Sequence, residues 1–263
     1  MVIPIYDSNP TRRSPYVTWG LIAVTVLAFL LSPVVRGPIV GTPSTAQQCR
    51  QQAYFLEWGA VPIELTHNRP LPYTYGPAAG EGECFQVPRD YDKRPWLSSI
   101  TSIFVHGGWA HLLGNMLFLW VFGNNVEDRF GRLRFLLFYL GVGVLSTYAF
   151  ALTGPDSQQP LVGASGAISG VLGAYLLLFP RAKVVSLVSF FFFLPVRLPA
   201  WLVLGLYFVL QAFYAAGAGL AGGGTVAYLV HVVGFVLGVA VVATFRRRLR
   251  PPPPAPRWVP GYG

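Results

Sequence analysis

Charge is what this chain has least of. Only 11% of its 263 residues are Asp, Glu, Lys or Arg, against about a quarter in a soluble domain, and the mean hydropathy is +0.50. An ordinary soluble domain is excluded, and so is a disordered chain, which needs high charge and low hydrophobicity. Cysteine is nearly absent as well: Cys49 and Cys84 are the only two. No CxxC and no Cys/His metal spacing exists, so neither a structural zinc site nor a disulfide-dense scaffold is expected. Both cysteines fall in one polar stretch. A bridge follows if that stretch faces an oxidising space, two free thiols if it does not, and sequence alone gives no distance between them. The long apolar runs contain no Asp or Glu. That removes the acid of a catalytic triad, and with no Glu between His106 and His111 it removes the H-E-x-x-H of a zinc protease. No metal and no cofactor are expected.

What is present is apolar sequence in helix-length blocks. Hydrophobic residues make up 53% of the chain, and the blocks predict helices at about 16–33, 109–125, 133–152, 163–179, 199–215 and 225–245. The fold class is therefore an all-α polytopic membrane protein, a six-transmembrane-helix bundle with a long outer loop between helices one and two. Residues 1–15 read as a polar cytoplasmic tail, 16–245 as the membrane domain and 246–263 as a basic, Pro-rich cytoplasmic tail. The first apolar run lacks a small-residue cleavage site and is expected to stay. The loop, 34–95, is rich in Pro, Gly and Gln and carries six basic and six acidic residues. A loop of that length without function is uncommon. Residues 184–194 are apolar but too short to span, so an interfacial or re-entrant segment is expected there.

The net charge of +9 is no sign of nucleic acid once it is placed on the chain. Arg12 and Arg13, then Arg129, Arg132 and Arg134, then Arg181, Lys183 and Arg197, then the cluster at 246–250 all fall on the side of the termini. The opposite connections at 153–160 and 216–224 contain no Lys or Arg. Under the positive-inside rule both termini are cytoplasmic, in a multi-pass cell-membrane protein, and the long loop is outside.

That topology sets the depth of the polar groups. Ser165, in Gly163-Ala164-Ser165-Gly166, lies just inside the outer end of helix four, and His231 about six residues inside that of helix six. Both fall on the order of 10 Å below the outer surface. Ionisable groups at such depth are costly and mark function. A serine hydroxyl needs a base within hydrogen-bond reach, and His231 is the base on offer. His111 and Asn115, at i and i+4, share a face of helix two and can donate to an oxyanion, as can the Ser165 backbone N–H. His106 sits in the lead-in turn. Gly166 and Gly170 on helix four, and Gly234 and Gly238 on helix six, share the four-residue spacing that lets backbones approach in lipid.

These motifs resemble the rhomboid intramembrane serine proteases. The likeness rests on His106-Gly-Gly-Trp-Ala-His111-Leu-Leu-Gly-Asn115, on Gly163-Ala164-Ser165-Gly166 and on His231-Val-Val-Gly234-Phe-Val-Leu-Gly238, in that order and across about 16–245. It implies Ser165 as nucleophile, His231 as base, and His111 with Asn115 assisting the oxyanion. It further implies cleavage of transmembrane protein substrates near their outer end, with helix five and the link at 217–224 as gate and cap. Two positions depart from the pattern: Ser169 stands where many relatives carry an aromatic residue against the histidine, and Trp96 is followed by Leu97 rather than Arg. A catalytically inactive, client-binding protein of the same fold and a proton-coupled transporter are the competing classes. Intact Ser165 and His231 oppose the first, and the lack of a repeat between the halves opposes the second.

Overall fold

The computed structural model describes residues 2–37, 44–77, 84–189, 193–216 and 225–249. The link at 217–224 and the Pro-rich end, expected to form a cap and a disordered tail, lie outside the described residues. The chain is mostly helical. The long elements are α1 (Tyr16–Leu31), α5 (Trp109–Phe130), α6 (Arg132–Thr153), α7 (Ser165–Leu178), α8 (Ala200–Ala215) and α9 (Thr225–Phe245). Among the described residues, two helices are long and apolar enough to cross a membrane, Arg132–Thr153 and Tyr228–Arg248, and α1, α7 and α8 are shorter apolar helices. In α5, His111, Asn115, Asn124 and Asn125 dilute the apolar content.

The helix α7 is the centre of the bundle. Every residue from Gly166 to Tyr175 is buried, which only a helix surrounded by others can achieve. It meets α9 at close range, because glycines face each other there. A Cβ on Gly234 would lie 2.1 Å from the Gly166 carbonyl oxygen, and one on Gly238 would lie 1.9 Å from that of Gly170. Any side chain at either position would force the two backbones apart.

Three expectations are corrected. The fold is not all-α: a three-stranded sheet, β1-β4-β5, and a two-stranded sheet, β2-β3, accompany the helices. The segment 184–194, expected to be interfacial or re-entrant, is strand where it is described: 184–189 lie in β4 (Lys183–Ser189) and 193–194 in β5 (Phe193–Pro199), while 190–192 lie outside the described residues. The strand β4 pairs in turn with β1 (Val2–Asp7), inside what reads as a polar tail. The prolines agree with this order. Proline cannot donate to a ladder and is tolerated at edges and bulges; Pro195 and Pro199 sit on the edge strand β5, Pro4 sits at the β1 register shift, and the central β4 has none. The sheet lies against the last turns of α5, where Asp7 accepts from Asn125 Nδ2 and the Asn9 backbone N–H.

The third correction concerns 34–95. The described residues of this stretch, 34–37, 44–77 and 84–95, include α2 (Thr45–Trp58), α3 (Pro62–His67) and the antiparallel pair of β2 (Tyr73–Pro77) and β3 (Cys84–Pro88), and lead into α4 (Pro95–Thr101). Cys49 and Cys84 form a disulfide that ties α2 to β3. Beneath it, Lys93 and Glu64 make a buried ion pair at 2.5 Å. Lys93 also donates to the carbonyls of Leu56 and Gly59. A buried charge without such partners would be strongly destabilising.

Candidate active site

Ser165 opens α7, and the four residues before it are held from three sides. Leu161 forms a two-way backbone bridge with Ala60, Gly163 N–H donates to the Ser102 carbonyl at 2.9 Å, and Ala164 N–H points at His106 Nε2 at 3.5 Å. Gly163 has φ +124°, and a Cβ there would lie 2.8 Å from both His111 Cε1 and Nε2. Only glycine satisfies the backbone and the histidine at once. His106, fully buried, thus braces the turn before Ser165: with Nε2 accepting, its Nδ1–H donates to the Phe104 carbonyl at 3.3 Å.

The helix α7 has 14 residues, about 21 Å at 1.5 Å per residue, short of the ~30 Å of a bilayer core. Beside its first turn is a cavity of about 280 Å³ between α5, α7, α8 and α9. Ser165, His231, His111 and Asn115 all line this cavity. His231 Nε2 lies 2.7 Å from Ser165 Oγ. The Gly166/Gly234 approach one residue beyond the serine is what permits that distance.

On its other side, His231 Nδ1 lies 2.8 Å from Gln211 Oε1, on α8. An amide oxygen can only accept, so Nδ1 carries the proton and Nε2 presents its lone pair to the Ser165 hydroxyl. This is the tautomer a general base needs. Sequence reasoning left the orienting partner of His231 unidentified; the one available signal was a lone glutamine in an otherwise apolar helix. A second group it missed is Tyr207, also on α8 and lining the cavity. Its hydroxyl is 2.9 Å from Ser169 Oγ. Tyr207 thus meets Ser169 rather than His231, and the aromatic ring beside the imidazole is that of Tyr228, edge-on with ring centroids 6.4 Å apart.

The donors are arranged beside the hydroxyl. Gly107 N–H donates to His111 Nδ1 at 3.3 Å, which makes Nε2 the protonated nitrogen, the one facing Gly163 and the start of α7. Asn115 Nδ2 donates to the His111 carbonyl at 2.8 Å, and its second N–H is left for another acceptor. The first-turn N–H groups of α7 have no acceptor within their own helix. Hydroxyl, base, orienting amide and three kinds of N–H donor converge on one cavity, which suits acyl transfer.

Comparison with known proteins gives the family. Residues 93–248, more than half the chain, match the Rhomboid domain family model. The chain is similar to Rhomboid protein 1, mitochondrial, of Saccharomyces cerevisiae, with 34% identity over 148 residues, 54% of this chain and 40% of the relative. It is similar to Rhomboid protease GluP of Bacillus subtilis, with 46% identity over 81 residues, 31% of this chain and 15% of the relative. Against Rhomboid-like protein 11, chloroplastic, of Arabidopsis thaliana the identity is 31% over 159 residues, 56% of this chain and 51% of the relative. The chain spans about half or less of each relative's length. From these matches, the chain belongs to the rhomboid family of membrane proteins.

Proposed function

We propose that this protein is an intramembrane serine endopeptidase that cleaves transmembrane segments of other membrane proteins. The single observation that carries this reading is the 2.7 Å contact between Ser165 Oγ and His231 Nε2 in a cavity recessed within an apolar bundle. His231, held by Gln211, takes the Ser165 proton as the hydroxyl oxygen attacks a substrate carbonyl. The resulting oxyanion is met by the Ser165 N–H, Asn115 Nδ2 and His111 Nε2–H. The same imidazole then protonates the departing amine, and water, activated in its turn by His231, hydrolyses the acyl-enzyme.

Six helices, α1 and α5 to α9, span the bilayer in this reading, with the termini on the cytoplasmic side and the site near the outer face. Supporting that orientation, the arginines flanking the helices gather at the sheet end: Arg12 N–H donates to Asp128 and Arg134 donates to the Arg248 carbonyl. The disulfide lies at the opposite end, as an oxidising outer space requires. Substrate enters between α5 and α8, where the outer half of α8 exposes Val209, Leu210 and Phe213 to lipid. A peptide bond within a helix is shielded, so the substrate unwinds locally before attack.

The test is cleavage of a labelled transmembrane substrate by the purified protein and by Ser165→Ala, together with labelling by a serine-directed fluorophosphonate. Cleavage and labelling that vanish in Ser165→Ala are expected. Equal cleavage by both would end the assignment, and no cleavage of several substrates by either would leave a client-binding role.

A further inference from the structure

A larger cavity, about 500 Å³, lies away from the site, between α6 and α9 at the sheet end of the bundle. Gly141 forms part of its wall, and no atom lies within 4 Å of where a Cβ there would stand. The groove exists because that side chain is missing. Its rim is exposed and apolar, with Leu137 and Leu145 on α6 and Val241 and Phe245 on α9.

One end of the groove is strongly basic. Arg134 and Arg248 both line it, both are exposed, and Arg134 Nη1 donates to the Arg248 carbonyl at 3.2 Å. Among the described residues neither guanidinium pairs with a carboxylate. The carboxylates at this end are engaged elsewhere: Glu127 with Val17 and Thr18, Asp128 with Arg12, Asp7 with Asn9 and Asn125. From Arg134 to Leu145 the groove runs 11 residues of helix, about 16 Å, which is one leaflet's share of a ~30 Å bilayer core.

We propose that this groove is a binding site for one anionic glycerophospholipid of the adjoining leaflet, the inner one in the orientation given above. An acyl chain lies along Gly141 between α6 and α9, and the phosphate sits against Arg134 and Arg248. Guanidinium groups bind phosphate oxygens through paired, charge-assisted hydrogen bonds. A second helix in the groove would leave two guanidiniums facing hydrocarbon, and a zwitterionic lipid would bring its own cation to them. Two basic groups at a membrane surface supply a preference on the order of 10-fold for an anionic over a zwitterionic headgroup.

The experiment is lipid retention by the full chain in detergent, read by native mass spectrometry after adding phosphatidylglycerol or phosphatidylcholine with the same acyl chains. The expected result is roughly 10-fold greater retention of phosphatidylglycerol. In Arg134→Gln/Arg248→Gln the preference falls below about 2-fold. In Gly141→Leu, which fills the groove with a side chain the backbone admits, retention of both lipids falls. Elution at the wild-type volume is the folding control, and if Gly141→Leu fails it, the arginine arm decides alone. The proposal is overturned if the double arginine variant keeps the preference, or if folded Gly141→Leu retains both lipids as before. It is equally overturned if Arg246→Gln/Arg247→Gln removes the preference to the same extent, which would make the attraction diffuse, or if soluble glycerol phosphate displaces the lipid at equal concentration.

Discussion

Replacing Gln211 with methionine takes one hydrogen bond from the imidazole and leaves the volume of the side chain nearly unchanged. His231 is held by two polar contacts, 2.7 Å to Ser165 and 2.8 Å to Gln211. Only the second dictates which nitrogen bears the proton. Without it the imidazole is free to turn or to adopt the tautomer whose Nε2–H cannot accept from the serine. A net hydrogen bond is worth about 1 kcal/mol, and a buried N–H left unsatisfied costs about 1–3 kcal/mol. At 1.36 kcal/mol per factor of ten the rate should fall roughly 5- to 150-fold. The assay is initial-rate cleavage of a fluorogenic transmembrane substrate in liposomes. We expect the loss in kcat with KM within about twofold, against a loss of about 10⁴ or more for Ser165→Ala. Gln211→Glu, which keeps an acceptor facing Nδ1, should retain more activity than Gln211→Met. Wild-type kcat in Gln211→Met would refute the reasoning; a raised KM with unchanged kcat would place Gln211 against substrate rather than imidazole.

Gly238→Ala puts a methyl group where 1.9 Å separates it from the Gly170 carbonyl oxygen. Overpacking of this kind costs about 1–3 kcal/mol, so both the thermal midpoint and cleavage should drop, and unchanged stability would contradict the α7–α9 contact. The Cys49–Cys84 bridge closes 35 residues, a constraint of roughly 4 kcal/mol on chain-entropy grounds. Peptide mapping without reductant should find the linked pair, and Cys84→Ser should be cut first within 44–88 by limited proteolysis; an unaltered cleavage pattern would argue against a structural role. Burial, against hydrogen bonds from Asn9 and Asn125, raises the Asp7 carboxyl to about 6. A folded value above the unfolded one favours the docked strand fully below about pH 4, and that contribution of roughly 3 kcal/mol is lost as pH rises through about 6. The hydrogen-exchange protection factors of β1, which are corrected for the intrinsic pH dependence of exchange, should therefore fall between about pH 4 and 6, and Asp7→Asn should flatten the dependence.

The apolar helices were legible because each is bounded by a residue that breaks it. The α1 helix stops before Pro33, α6 before the Gly154-Pro155 pair, and α7 before Pro180, and each expected bound lies within two residues of the observed one apart from the far end of α5. That end was lost because Glu127, Asp128 and Arg129 look like the start of a loop. In the structure they are buried in the last turn, with Glu127 accepting from Val17 and Thr18. Ser165 and His231 were paired in the sequence on their expected depth, the matching glycine spacings and the family resemblance, and they lie 2.7 Å apart. Gln211 was not legible, since the face an apolar helix turns to its neighbours depends on packing that no single helix encodes. The sheet at the other end was missed for a related reason: short runs such as Val184-Val185-Ser186-Leu187 read equally as strand or buried helix, and β1 becomes a strand only because β4 is beside it.

That pairing joins the two ends of a long stretch of chain, since Ser8 bonds to Lys183, 175 residues away. At 5–20 residues per second, a ribosome needs roughly 9–35 s to deliver the partner after the first strand has emerged. Over that interval the long helices α1, α5, α6 and α7 are made while an apolar strand waits with an open edge, the kind of edge that templates aggregation. Synthesis therefore leaves this edge uncovered until the fourth long helix is complete, so slowing translation before residue 189 should lengthen the nascent chain's dependence on chaperones.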